Sequence, residues 1–355
     1  MSWTELIKER AWELGFDLIG VAPAGRALHA DAYAAWVEAG FAATMGYMQR
    51  DIPRRQDVRL VLPGAQAVVV VGLSYYSGTP PAELWDDPAR GRIARYAWGP
   101  DYHQVMLSRL RQLGDFICHL TGRDVAQRAY VDTGPLLERD WAAQAQLGFI
   151  GRNTCLISPA WGSYLFLGEL LVDLDLEIDA PESVGQSSGD QGTSQRGGCG
   201  RCLRCLSACP TGALVAPYLL DSNRCISYLT IEHRGVIPEV LRARLGNWIF
   251  GCDTCQEVCP WPCRFARPAR QPFLRFEPER SVPRLLDLIA LDEAGFRARF
   301  GDTPLRRARR GGLLRNVVVA LANWGHPAAI EAVRRAGQDA DALVRAQAFQ
   351  ALEYL

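Results

Sequence analysis

Cys199-Gly200-Arg201-Cys202-Leu203-Arg204-Cys205-Leu206-Ser207-Ala208-Cys209-Pro210 is the stretch on which the reading of this chain turns. Its spacing, Cys-x2-Cys-x2-Cys-x3-Cys-Pro, suits a cubane 4Fe-4S cluster. Two-residue gaps let one tight loop aim three thiolates at a single cluster, while the fourth cysteine, past a turn and fixed by proline, points at a neighbouring one. One such run therefore predicts a partner. Cys252-Asp253-Thr254-Cys255-Gln256-Glu257-Val258-Cys259-Pro260 keeps the two- and three-residue gaps and the proline but lacks a first cysteine nearby, and Cys225 is the obvious substitute. The crossed pattern assigns one cluster to Cys199, Cys202, Cys205 and Cys259, and the other to Cys209, Cys225, Cys252 and Cys255. Four-cysteine zinc sites also use Cys-x2-Cys pairs, but a triple run ending in Cys-Pro is not a zinc-ribbon spacing.

The rest of the composition agrees with metal binding. A chain of 355 residues that is 48% hydrophobic can bury substantial cores without disulfides. Nine of its eleven cysteines lie between Cys199 and Cys263, which suits ligands better than a disulfide framework. The first ten residues are a charged amphipathic helix pattern with no export signal and no twin-arginine pair. No run approaches the roughly 18 apolar residues of a membrane span. A cytoplasmic protein with no membrane association is expected, in a compartment that keeps thiols reduced. Cys118 and Cys155 sit in apolar helix and strand surroundings and read as core; Cys263, beyond the eight ligand places, has no assigned role.

Residues 1–179 alternate helical patterns (6–15, 102–120, 135–147) with strand-like runs (68–73, 129–132, 163–173), the sign of an α/β or α+β domain. Residues 180–198, rich in Ser, Gly and Gln, read as a flexible loop or linker. A two-cluster module of ferredoxin-like spacing follows over 199–281. Residues 282–355 turn Leu-, Ala- and Arg-rich, with 313–324 and 328–355 spaced like the paired helices of a HEAT-type repeat.

The chain carries 39 basic and 39 acidic side chains, so nucleic-acid contact needs a local charge excess. Residues 297–315 hold seven arginines and one acid. Within them Arg306, Arg307, Arg309 and Arg310 open into Gly311-Gly312 and a helix with Arg315. Guanidinium forks and helix N-terminal amides both suit phosphate, although a solvated basic face is the ordinary explanation of such a run. Asp132, before Thr133-Gly134-Pro135, suits a turn or helix cap. Tyr102 and His103 open a helix, and Glu138 and Arg139 follow Pro135 by one turn.

A two-cluster module moves electrons but makes no product, so the preceding domain must hold the chemistry. Tyr96-Ala-Trp-Gly-Pro-Asp-Tyr102-His103, Tyr130-Val-Asp132-Thr-Gly-Pro135-Leu-Leu-Glu138-Arg139, Gly148-Phe-Ile-Gly-Arg-Asn153-Thr and Phe166-Leu-Gly-Glu169, together with the cysteine spacing, resemble the epoxyqueuosine reductases over essentially the whole chain. The resemblance implies reduction of epoxyqueuosine to queuosine at the wobble position of tRNA. It implies cobalamin between the first domain and the cluster module, with Asp132 as proton donor and Tyr102, His103 and Arg139 as active-site wall. It makes Arg55, Asn153, Ser158 and Ser227, with Asp132, candidate cobalamin contacts. Arg234, Arg306, Arg307, Arg309, Arg310 and Arg315 become tRNA contacts. The sequence has no Asp-x-His-x-x-Gly motif, so no histidine from that motif is expected below the cobalt. A flavodoxin- or ferredoxin-type donor and a monomeric chain complete the expectation. The other readings are a cobalamin-dependent reductive dehalogenase-like enzyme of a small molecule, for which the basic C-terminal segment has no use, and a plain electron carrier.

Overall fold

The computed structural model describes residues 1–179, 198–271 and 274–353; the expected linker, apart from Gly198, lies outside them. The first domain is organised by Ala67-Val-Val-Val-Val-Gly-Leu-Ser74, which is buried at every position. A run without alternation is what a strand covered on both faces requires. It forms β2 (Ala67–Ser74), with β1 (Leu18–Pro23), β3 (Gln127–Tyr130) and β4 (Leu165–Val172) completing a sheet in the order β1-β2-β4-β3. Every neighbouring pair is antiparallel, so the domain is α+β, without the parallel crossovers of an α/β sheet.

Two helices, α1 (Trp3–Glu13) and α2 (Tyr102–Thr121), cover one face of the sheet over Val69, Val71, Phe166 and Leu170. Asp101 caps α2 by accepting the His103 amide, and Gly122 ends it in a left-handed turn. The opposite face, with Val68, Val70, Leu167 and Leu171, is covered by Trp141 and Ala142 of α3 (Glu138–Gln144). This helix begins later than the pattern from residue 135 suggests, because residues 132–137 are spent on a turn in which Asp132 adopts φ +58°.

The C-terminal region is α4 (Arg309–Trp324), α5 (Pro327–Ala336) and α6 (Ala342–Leu352). Helix α4 is buried from Gly311 to Leu321, since α5 and α6 lie against it together with the Trp248–Phe250 strand and the Ile226–Ile231 helix. Gly311 makes the close approach possible: a Cβ there would stand 2.0 Å from Asp341 Oδ2. The core joins Leu313, Val317, Ala332 and Val344 to Ile93, Trp98, Ile249 and Phe250. Residue 282 is therefore no break in packing, and the helices are built into the body of the protein as a three-helix unit.

Arg315 is the clearest correction to the expected tRNA contacts. It is 1% exposed. Its guanidinium donates to the carbonyls of His233 (2.9 Å), Gly235 (2.7 Å) and Leu229 (2.6 Å) and to Asn316 Oδ1. It staples α4 to the chain that follows Cys225 and has no surface for phosphate. Replacing Arg315 by Ala strands these buried acceptors, each worth about 1–3 kcal/mol. A clear fall in the thermal midpoint of the folded chain is expected, and an unchanged midpoint would count against the staple.

Candidate active site

Cys199, Cys202, Cys205 and Cys259 line one cavity of about 140 Å³ with Arg152, Asn153 and Trp261. These are the four that the crossed pattern assigns to one cluster. Among the described residues no three Cys, His, Asp or Glu side chains converge closely enough to hold a single metal ion; the four thiols ring a space, as a cubane needs. Mutual repulsion links Cys225 to Cys209, and Cys252 and Cys255 to Cys225, which marks the second group. Burial pushes the Cys252 thiol up to about 12, so it ionises only with the charge of iron beside it. Donors already point at sulfur: the Arg152 amide lies 3.3 Å from Cys199 Sγ and the Ala213 amide 3.3 Å from Cys209 Sγ.

Cys155 is not the core filler that its neighbours in sequence suggested. Its thiol donates to the Asn153 carbonyl at 3.8 Å, and the neighbouring Cys255 thiol lowers its pKa, so it borders the cysteines of the second group. Cys118 does pack with the first core, receiving Gln127 Nε2 at 3.6 Å. Cys263 is exposed.

The second cysteine loop is tied to the first domain by a buried ion pair. Arg95 Nη1 reaches Asp253 Oδ2 at 3.1 Å and Glu257 Oε1 at 2.7 Å, and the Arg95 amide donates to Asp253 at 2.8 Å. Arg95 also lies over the rings of Trp85, Trp98 and Tyr164. The sequence offered one signal for this, an aspartate placed between two ligand cysteines, and none for its partner.

The proton-holding site lies at the end of β3. Asp132 is held in its left-handed turn by its own amide, which donates to Glu138 Oε1. Its side chain is 60% exposed and meets His103 Nε2 at 3.2 Å, while His103 Nδ1 meets Asp101 at 2.6 Å. Burial alone would lower the histidine, but Asp101 and Asp132 outweigh it and raise His103 to about 9, so the ring is cationic at neutral pH. Tyr102 is sandwiched between His103 and Phe166, with both centroid separations 4.1 Å. Arg139 donates to the carbonyl and hydroxyl of Thr154, connecting α3 to the segment that carries Cys155. Arg55 donates to the carbonyls of Gly134 and Tyr47, so it braces the Asp132 turn. Thr44 Oγ1 in turn meets the Tyr228 hydroxyl at 2.6 Å, next to Ser227.

Two candidate cobalamin contacts are placed differently from expectation. Ser158 is 2% exposed at the base of a turn closed by Gly162, which leaves almost no surface for a corrin. Asn153 is 4% exposed. It donates to the Cys255 carbonyl and faces the first cluster cavity.

The arginines divide. Arg310 is locked into a two-pronged pair with Asp339 at 2.9 and 2.6 Å, so it holds α4 to the connection between α5 and α6 rather than meeting phosphate. Arg307 pairs with Glu232 at 2.8 Å and lies over Tyr47. Arg306 reaches Asp101 at 2.6 Å, and Arg309 is exposed. Arg234 supports this loop by donating to the carbonyls of Arg307 and Ala308.

A chain that carries two cysteine groups of cubane spacing beside a cluster of acids and a cationic histidine falls in the class of double-cluster iron-sulfur oxidoreductases. Residues 198–262 match the model of the 4Fe-4S double cluster binding domain, and residues 55–133 match that of epoxyqueuosine reductase QueG, DUF1730. The epoxyqueuosine reductase of Synechocystis is 40% identical over 85% of this chain and 100% of its own length. That of Xanthomonas campestris is 39% identical over 96% and 92%. A crystal structure of epoxyqueuosine reductase with an epoxyqueuosine-modified tRNA-Tyr stem loop superposes with a TM-score of 0.86 at 31% identity, covering 98% of this chain and 88% of that one. The chain belongs to the epoxyqueuosine reductase family. It is an oxidoreductase with two 4Fe-4S clusters, of a cobalamin-dependent family.

Eight ligands in two crossed sets call for about eight irons per chain. Cys259→Ala should damage the cluster built on Cys199 to Cys205, and Cys209→Ala the other one. Electron paramagnetic resonance of the reduced variants checks this; loss confined to each variant's own sequence-local motif would reject the crossing.

Proposed function

We propose that this chain reduces epoxyqueuosine to queuosine at the wobble position of tRNA, with Asp132 as the proton donor and the cobalamin lodged between the Asp132 turn and the helix after Cys225. The observation that carries this reading is the chain Asp101–His103–Asp132, which ends on an exposed carboxyl. A solved Bacillus subtilis epoxyqueuosine reductase, 30% identical, is described with an aspartate-bearing catalytic loop swung out of its active site, and the Asp132 turn is the corresponding kind of element here.

Bound cobalamin would supply the reducing centre for the epoxide, fed with electrons by the clusters. The protein's part is to hold and deliver protons. Opening the epoxide places charge on oxygen, and Asp132, fixed by His103 and by its own amide bond to Glu138, offers that oxygen a proton. Arg55 and the residue 44–47 segment bridge the Asp132 turn and the Ser227 helix, so Arg55 and Ser227 are the better placed cofactor contacts. The aromatic stack of Tyr102 and Phe166 supplies an apolar wall that excludes water.

For the tRNA, Arg234, Arg306, Arg307 and Arg309 form the surface to which phosphates would bind, and a splayed anticodon-loop base would reach Asp132 from there. A flavodoxin- or ferredoxin-type donor fits the first cluster, whose loop exposes Arg201, Leu203 and Arg204. A reducing cytoplasm, which keeps thiols available as ligands, and a monomeric chain complete the reading.

Asp132→Asn keeps shape but cannot donate an acidic proton. The variant should retain clusters and bound cobalamin and lose turnover by about 10²-fold or more; near-normal turnover in a single-turnover assay would return Asp132 to a structural turn. For the arginines, R307A/R309A should weaken tRNA binding and flatten its salt dependence by about 0.7–0.9 per lost phosphate contact. R310A should lower stability and leave that slope alone. Equal slopes for the parent and R307A/R309A would remove these two arginines from the tRNA path.

A further inference from the structure

Converting an epoxide to an alkene and water takes two electrons and two protons. The electrons come from the clusters through the cofactor, and Asp132 carries one proton. A second must reach the same oxygen before it leaves as water.

Two further carboxyls stand behind Asp132. Glu138 opens α3 and accepts the Asp132 amide, so its carboxyl is pressed against the donor turn. Glu169 lies on β4, in register with Tyr130 of β3 and Val70 of β2. It is 0% exposed, and neither of its carboxyl oxygens has a hydrogen-bond partner. Its face of the sheet is the one that α3 covers, among Leu167, Leu171 and Trp141. A carboxylate left there without a donor is too costly to persist, so Glu169 keeps its proton.

We propose that Glu138 and Glu169 form an internal pair of carboxylic acids behind the donor turn, of which Glu138 supplies the second proton of the reaction by returning it to Asp132, while Glu169 keeps its own. The bonds balance. Asp132 O–H breaks as the substrate oxygen is protonated, Glu138 O–H breaks to restore Asp132, and the restored Asp132 protonates the same oxygen, which departs as water; Asp132 and Glu138 take their protons back from solvent once product has left. With substrate seated over Asp132 its solvent side is covered, and the inward side, toward Glu138, remains.

The electrostatics agree with the geometry. Burial first, and then the charge of Asp132, push Glu138 up to about 8 against the opposing pull of Arg139 and His103. Burial, then Glu138 and Asp132, push Glu169 well above the carboxylate range. The groups facing the pair are Asp132, His103, Arg139 and Tyr102, and Asp101 acts on it only through His103. A group whose pKa is raised to about 8 is the acid below that pH and is lost as pH rises through it.

This inference rests on Asp132 as donor, and D132N separates the two. Normal turnover of D132N removes the donor and the pair together, whereas an inactive D132N leaves the pair to be judged by Glu138→Gln. The glutamine oxygen still accepts the Asp132 amide, so the turn keeps its anchor while the proton is gone. In single-turnover reduction by cluster- and cobalamin-loaded protein, the parent rate should fall as pH rises through about 8. In E138Q the rate at neutral pH should be about tenfold or more lower, with that limb absent and the solvent deuterium isotope effect changed. Glu138→Asp, which restores an acid, should bring the limb back. A parent-like rate and pH profile in E138Q overturns the proposal. Infrared spectra of the resting protein at neutral pH decide the state of Glu169 whether or not a variant is active: a carboxylic-acid C=O band that E169Q removes is expected, and its absence from the parent overturns the neutral acid behind Glu138.

Discussion

The buried pair of Arg95 and Asp253 is the contact on which the site depends. Asp253 sits between two cluster ligands, Cys252 and Cys255, and Arg95 belongs to the first domain. With side chains only 5% and 2% exposed, neither charge has water to fall back on, and losing one partner would leave the other stranded at a cost of about 3–5 kcal/mol. The guanidinium also fills the space between Trp85, Trp98 and Tyr164. One cation thus fixes a cysteine loop, an aromatic box and the start of the Tyr96 to His103 segment. The distance between the second cluster and the Asp132 turn is set by that anchor.

From the anchor the connections run to the chemistry along short covalent paths. Arg95 leads within eight residues to His103, which holds Asp132. Asp253 leads to Cys255, whose neighbour Cys155 follows directly on the Thr154 that Arg139 grips. The wall of the cluster site and the wall of the proton site are therefore the same few strands and turns. That economy explains why a carboxyl as costly as Glu169 is tolerated in the central sheet: the packing that fixes the redox path also encloses the acids.

The basic segment shows how charge near a site divides between support and contact. Arg310 and Arg315 are consumed by Asp339 and by backbone carbonyls, and they hold α4 in place. Arg306 and Arg307 are paired as well, with the buried Asp101 and the largely covered Glu232, but both arginine side chains stay 54% exposed, so an incoming phosphate can compete for them. Arg306 shares Asp101 with His103, so the exposed arginine surface and the Asp101–His103–Asp132 chain meet in one carboxylate.

The two-cluster module was legible in the sequence, because cluster binding demands thiolates at local spacings that a short loop must satisfy by itself. The crossed ligand sets are the expectation that the same loop geometry raises. Strand β2 was equally plain as an unbroken apolar run. The family was legible too, since the motifs around Tyr102, Asp132, Asn153 and Glu169 are contiguous. What the tertiary structure alone decided depends on partners far apart along the chain. Antiparallel pairing decided for α+β between the two readings left open, because strand direction is set by how chain ends meet and not by composition. Cys155 moved from core to cluster wall through a partner about one hundred residues away at Cys255. Arg315 and Arg310 ceased to be phosphate contacts because Leu229 and Asp339 reach them only after folding, and no charge count distinguishes a free guanidinium from one already bound. The isolation of Glu169 is likewise a property of both sheet faces at once. A glutamate in Phe-Leu-Gly-Glu reads as polar until the helix that buries it is in place.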